Sequence, residues 1–184
     1  MTTATSQIKL NLLEMMTTRG YQNKTPEEGA EDTRGHPLMW FEKERENDEP
    51  HRVVVFFDVN RCNMQILKSI FVYMTRNTYD SAILIYNESI TSMARKLIQS
   101  TDTYCKIELF SYKEMSYNPI KHVLVPRHSL ASEHEITQIK QSKIKIPLLL
   151  TTDPIARYYN WSKGTYVKIN RRDGTIAYRV VRAG

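Results

Sequence analysis

The apolar positions along this chain change period several times, and each change marks an element. Leu12, Leu13 and Met16 fall on one side of a helix over Ile8–Thr18, which Ser6 is placed to cap and Gly20 to stop. Val53–Val59 is apolar nearly throughout, as in an interior strand covered on both faces. Asn63–Asn77 carries Ile66, Leu67, Ile70, Phe71 and Met74 at helical spacing. Ser81–Tyr86 reads as a second strand and Lys106–Phe110 as a third. Between them Ser89–Gln99 reads as a helix packed through Ile90, Met93, Ala94, Leu97 and Ile98. Strands and helices alternating over short links predict a small α/β domain with a parallel core.

Beyond Pro119–Lys121 the pattern changes. A segment at Val123–Pro126 is followed by a polar helix over Ser132–Lys140, where Ser132 and Glu135 have capping-box spacing. Ile144–Leu150 is short, apolar and broken by Pro147. Thr152 is placed to cap a short helix with Asp153 and Pro154 in its first turn, where a missing N–H costs nothing and a negative charge meets the positive helix end. Ile155 and Tyr158 then share a stripe, expected to pack on a hairpin face made by Ile176, Tyr178 and Val180. The hairpin joins Thr165–Asn170 to Thr175–Val181 through Arg171-Arg172-Asp173-Gly174, whose Asp-Gly pair is a strong turn signal. The predicted class is α+β overall, with residues 1–120 as an α/β domain and residues 121–184 as a compact α+β module.

Charge sharpens this division. Residues 1–120 hold 14 Lys and Arg against 16 Asp and Glu, whereas residues 121–184 hold 12 against 4. The C-terminal part therefore carries the whole basic excess, the N-terminal part being slightly acidic, which suits a phosphate or acidic partner. Nine of the acidic residues lie in Thr25–Arg52, which reads as an acidic surface excursion tied down by a short strand at Leu38, Trp40 and Phe41. Cys62 and Cys105, far apart and outside any CxxC spacing, predict free thiols in a reducing compartment. Met1–Gln7 lacks the pattern of a signal peptide, and Val53–Phe57 is too short to span a bilayer, so no membrane partner is expected.

Catalytic signatures are missing from the sequence. It contains no GxGxxG, GxxxxGK[ST] or GxSxG, and no Gly closely follows Val53–Val59 to cradle a phosphate. His122, His128 and His134, with Glu133 alongside, approach metal spacing but match no zinc motif, and all five histidines, His36 and His51 included, are expected to be surface or capping residues. Asp58, Glu88 and Glu108 fall on or near strand ends, and Lys106 shares a strand face with Glu108. A metal-dependent nuclease needs such carboxylates clustered in a particular order that this chain lacks. The expected inventory is no catalytic residue, no metal, no cofactor and no small-molecule substrate. Lys168, Arg171, Arg172, Arg179 and Arg182 accompany the hairpin, interleaved with Tyr158, Tyr159, Trp161, Tyr166 and Tyr178. Rings and arginines together can grip a single nucleic-acid strand. In a module this small the rings are expected to form the core instead, leaving the arginines at a protein interface.

The motifs Leu124-Val125-Pro126-Arg127-His128, Ile146-Pro147-Leu148-Leu149, Asp153-Pro154-Ile155-Ala156-Arg157-Tyr158, Lys163-Gly164, Val167-Lys168-Ile169-Asn170-Arg171 and Tyr178-Arg179-Val180-Val181 occur in one order. In that order they closely resemble the fifth common subunit of eukaryotic multisubunit DNA-directed RNA polymerases, the Rpb5 family, whose archaeal counterpart is this module alone. The N-terminal part resembles the family more diffusely, through Arg19-Gly20-Tyr21 and Val55–Phe57. The resemblance implies a non-catalytic subunit partnered by the largest and other polymerase subunits. Its N-terminal domain would form the lower jaw beside downstream duplex DNA, with an endonuclease-like fold lacking an active site. Location would be nuclear in a cell, or in the virion and host cell for a virus.

The interface residues so implied are Pro126, His128, Pro147, Asp153, Pro154, Arg157, Tyr158, Lys168, Arg171 and Arg179. Arg19, Arg61, Lys68 and Arg76 are the candidates to approach DNA through its backbone. The family's Gly after the Arg-Tyr-Tyr run is Asn160 here, the hairpin connection is shortened, and the helix before Pro147 is shorter. These departures fit a divergent or viral member. A stand-alone nucleic-acid-binding protein and a relic nuclease are the alternatives.

Overall fold

The computed structural model describes residues 3–25, 38–45, 49–101, 105–142 and 144–184. Most of the acidic excursion, together with His36, lies outside the described residues. Two compact units part between Tyr117 and Asn118, and the whole is mixed α+β.

The N-terminal unit is built on a five-stranded sheet in the order β1-β2-β3-β4-β5. Its strands are β1 (Gln22–Asn23), β2 (Leu38–Lys43), β3 (His51–Cys62), β4 (Ser81–Ile90) and β5 (Lys106–Ser111). The expected parallel core is present in β3, β4 and β5, but β2 joins antiparallel to β3 and makes the sheet mixed. Because β3 is an interior strand and helices cover both faces of the sheet, Val53–Phe57 and Val59 are all buried.

The helices are α1 (Thr3–Thr18), α2 (Met64–Arg76), α3 (Ser92–Thr101) and α4 (Tyr112–Met115). Asn63 caps α2, its side chain accepting the N–H groups of Gln65 and Ile66. Several boundaries differ from the sequence expectation, β3 for one running from His51 to Cys62. Helix α1 starts at Thr3, so Ser6 lies inside it, and the fully buried stripe is Ile8, Leu12, Met15 and Met16 rather than one including Leu13. Strand β4 continues through Ser89 and Ile90, which pair with Arg61 and Cys62. The Thr91 hydroxyl then accepts the Ala94 N–H at 3.2 Å and starts α3. Ile90 still packs with the helical stripe it was assigned to, but from the sheet.

Helices cover both faces of the sheet. Leu67, Ile70 and Met74 of α2 and Ala94 and Ile98 of α3 pack with Val54, Phe56, Ala82 and Leu84. On the other face Lys9 of α1 lies over the Phe57 ring, 5.6 Å from its centroid. Asn11, also from α1, donates to the Met115 carbonyl at 2.8 Å. Cys62 and Cys105 are free thiols, and burial pushes the Cys62 thiol up to about 11.

Gly20, at φ +85°, turns the chain out of α1. Arg19 beside it grips Glu108 of β5 through two hydrogen bonds of 2.9 Å. The two side chains are only 5% and 17% exposed, so removing one strands a desolvated charge. Arg19→Ala is expected to destabilise the protein by about 3 kcal/mol in denaturant unfolding, and the double change Arg19→Met with Glu108→Leu to recover most of that loss.

The C-terminal unit has a four-stranded sheet in the order β6-β8-β9-β7. It comprises β6 (Arg127–Leu130), α5 (Glu133–Ser142), β7 (Leu148–Leu150), α6 (Pro154–Tyr159), β8 (Tyr166–Asn170) and β9 (Ile176–Arg182). The β8–β9 hairpin is antiparallel, with Gly174 at φ +80° in its turn, while β7 runs parallel to β9.

Candidate assembly surface of the C-terminal unit

Alternation along the hairpin sends its side chains to two different helices. Val167 and Ile169 of β8, with Ala177 and Val181 of β9, pack with Leu149 of β7, Ala156 of α6 and Trp161. The expected packing of α6 on Ile176, Tyr178 and Val180 is therefore corrected: Ile176 is 52% exposed, and the core face is the opposite one. The sequence left the choice of face open because both carry a mixture of apolar and polar groups.

The other hairpin face meets α5 through charge. Lys168 and Tyr178 are direct cross-strand partners. Each donates to the same Glu135 oxygen, Oε1, at 2.7 Å. Oε2 accepts the Ser132 backbone N–H at 2.8 Å and its hydroxyl at 3.0 Å. Ser132 and Glu135 thus form the expected capping box, and the same carboxylate also clamps α5 to the hairpin. These hydrogen bonds, with Lys168 first, hold Glu135 down to about 2.

Helix α6 is capped differently from the sequence expectation. Asp153, not Thr152, is the N-cap, and its carboxylate accepts the Ile155 N–H at 2.8 Å. Asp accepts there as well as Thr and adds favourable charge, a cap worth about 1 kcal/mol. At the far end Asn160 takes the left-handed conformation, φ 55° and ψ 40°, which Asn tolerates better than most residues.

The predicted interface residues separate into internal and surface groups. Tyr158 is 4% exposed and its hydroxyl receives the Asn118 amide at 3.3 Å, so it is core. Lys168 is engaged with Glu135. His128 Nδ1 lies 2.8 Å from the Pro126 carbonyl. The Pro147 carbonyl accepts the Val180 N–H, and Arg179 donates to the Leu148 carbonyl at 3.3 Å. Pro147, Pro154 and Arg171 are exposed, while Pro126, Asp153, Arg157 and Arg179 are half-buried.

Large apolar groups were not among the predicted surface residues, yet Val123, Leu124, Leu130, Ile144, Leu148 and Leu150 are each at least 45% exposed. The short Ile144–Leu150 run was the available signal, since a three-residue edge strand cannot bury both of its faces. The rings do not offer a free stacking platform. Tyr159 and Trp161 stack on each other at 4.5 Å, and Trp161 also packs on the core.

In the N-terminal unit Arg19 belongs to the Glu108 ion pair and is withdrawn as a DNA-facing group. That pair also occupies the carboxylate a nuclease would need. The Asp58 side chain is outside the described ones. Among the described residues no group of His, Cys, Asp and Glu is arranged to hold a metal ion. Arg61, Lys68 and Arg76 are exposed on and beside α2, and Arg95 and Lys96 of α3 join them. Residues 61–79 and 89–101 contain no Asp or Glu. Arg95 and Lys96 were missed because the stripe used to place α3 was apolar.

A small basic unit, clamped inside and apolar outside, has the surface character of a protein interaction site. Residues 117–181 match the family model for the C-terminal domain of RNA polymerase Rpb5. Over 190 aligned positions the chain is 28% identical to subunit rpabc1 of DNA-directed RNA polymerases I, II and III from Dictyostelium discoideum, covering 95% of each. It is 29% identical over 119 positions to 454R, a provisionally named DNA-directed RNA polymerase subunit of Invertebrate iridescent virus 6, covering 58% of this chain and 64% of the relative. It is 28% identical over 137 positions to DNA-directed RNA polymerase V subunit 5A of Arabidopsis thaliana, covering 70% and 61%. The chain is thus similar to Rpb5-type polymerase subunits, through the C-terminal domain model over residues 117–181 and through these relatives.

The Glu135 clamp gives a pH signature. Its carboxyl falls from an ordinary 4.5 to about 2 on folding. The stabilisation is therefore complete above about pH 4.5 and is lost as pH falls through about 2. Glu135→Gln is expected to lower the melting temperature at pH 7, with the gap from wild type closing as pH falls from 4.5 to 2.

Proposed function

We propose that this chain is a non-catalytic subunit of a multisubunit DNA-directed RNA polymerase. Its C-terminal unit docks on the largest subunit, and its N-terminal unit forms the lower jaw beside downstream duplex DNA. One observation carries the proposal: the unit that matches the Rpb5 model is the one with the basic excess and the densest exposed apolar side chains. An apolar surface rimmed by cations fits a permanent partner with acidic flanks. Tagged full-length chain recovered from its native cells is expected to bring down the large polymerase subunits. Recovery of the chain free of them, with salt-sensitive affinity for DNA, would favour a stand-alone nucleic-acid binder.

The surface proposed to meet DNA is the outer face of α2 and α3, through Arg61, Lys68, Arg76, Arg95 and Lys96. Such side chains touch phosphates and position a duplex without reading bases. In an elongating polymerase, crosslinks from this face to downstream DNA are expected on any sequence. Lys68→Glu with Arg95→Glu should weaken them severalfold.

The two units, parting near residues 117–121, are proposed to fold separately. The link offers a cleavage point, since Lys121 to Leu124 are exposed. Trypsin is expected to cut the free protein there and leave two resistant fragments. A single resistant core would count against separate domains.

A further inference from the structure

The proposed docking leaves open which part of the C-terminal unit seats the partner. Strand β7 pairs with β9 only from Val180 to Arg182. Ahead of that ladder the chain from Ile144 to Pro147 is not part of a strand, and a groove of about 420 Å³ lies between it, the end of α5 and the start of β9. Its apolar walls are Ile139, Ile144, Ile146, Pro147, Ala177 and Tyr178, with Gln138, Ser142 and Lys145 beside them adding little polar surface. Ile144 is 71% exposed and Ile176, next to the groove on β9, is 52% exposed.

The groove is rigid where it matters. Tyr178 forms one wall and is tied to Glu135 at 2.7 Å. Ile139 stands one helical turn after Glu135 on α5. Val180 donates to the Pro147 carbonyl at 3.2 Å, which fixes the opposite wall. The carbonyls of Leu148 and Leu150 already accept from Arg179 and Asp153, so adjoining β7 is poorly suited to recruit a further strand. Side chains entering the groove suit this site better than strand addition.

Lys145 lines the groove, and Arg171 and Arg172 lie in the turn before Ile176, within residues 121–184 that hold 12 Lys and Arg against 4 Asp and Glu. Nearby Asp173 is engaged with Thr175 inside that turn. Glu135 is saturated by its own donors.

We infer that this groove is the anchoring point for the polymerase partner, and that its occupant is a segment with apolar side chains flanked by carboxylates. The inference rests on the polymerase-subunit proposal and narrows it to one site. Tagged full-length wild type, Ile144→Asp, Lys145→Glu and Leu124→Asp would be recovered from native cells and the co-purified large subunit quantified. Circular dichroism of each purified protein would check folding. Ile144 and Leu124 are both highly exposed, 71% and 77%, so neither change removes core.

The expected result is a loss of about tenfold for Ile144→Asp, as for an apolar anchor. Lys145→Glu should lose about threefold, in keeping with a charge at the rim. Leu124→Asp should stay near wild type. Wild-type recovery by both groove variants would overturn the groove while leaving the polymerase role intact. Equal loss in all three would overturn it too, since it would show a diffuse surface rather than an anchor. Wild type that recovers no polymerase subunit would overturn both proposals.

Discussion

The C-terminal unit depends on one carboxylate. Glu135 caps its own helix through Ser132 and holds the β8–β9 hairpin through Lys168 and Tyr178. A module of this size has little core to rely on; its buried cluster is Leu149, Ala156, Val167, Ile169 and Val181. That cluster lies on one face of the sheet only. On the other face α5 has no fully buried side chain. Hydrogen bonds to a charged group do there what apolar burial does on the α6 side. The apolar side chains of α5 are thereby left partly open instead of being consumed in packing.

Much of the fold was legible because most elements carry their own local signals. The apolar run Val53–Val59 predicted an interior strand, and β3 lies between two neighbours. Asn63 and Asn77 bracketed α2, and both turned out to be its caps. Legibility failed where two signals overlapped. Ile90 fits a helical stripe and also a strand end, and only the ladder with Cys62 decides between them. Thr152 and Asp153 are both good caps, and local geometry selects the second. The facing of the hairpin was not decidable from alternation because Arg179 and Tyr178 make each side equally mixed.

The candidate site was less legible than the fold. A motif search finds residues with distinctive identities, and in this chain several of those are internal. Lys168 reads as a surface charge until Glu135 is placed beneath it. Arg19 reads as a DNA-facing cation until Glu108 is found across the sheet. The exposed apolar residues have ordinary identities, so only solvent exposure singles them out. The even basic face of α2 and α3 lies between these cases. Its lack of acidic residues is visible in the sequence, but its coherence as a face requires both helices to lie on the same side of the sheet.

The run Asp153 to Asn160 shows why resemblance and contact need not coincide. Asp153 caps α6, Pro154 begins it, Ile155, Ala156 and Tyr158 are buried, and Asn160 closes it in the left-handed conformation. All of these roles are met within the unit. The residue types in the motif are therefore dictated by a six-residue helix that must start sharply, bury one face and stop sharply. A partner can impose its own demands only on the remaining outward positions, such as half-buried Arg157, and on surfaces elsewhere. By this argument the motif marks the module, while the anchor proposed above falls on plainer residues such as Ile144 and Lys145. Those residues are exposed, so the fold itself places little demand on their identity.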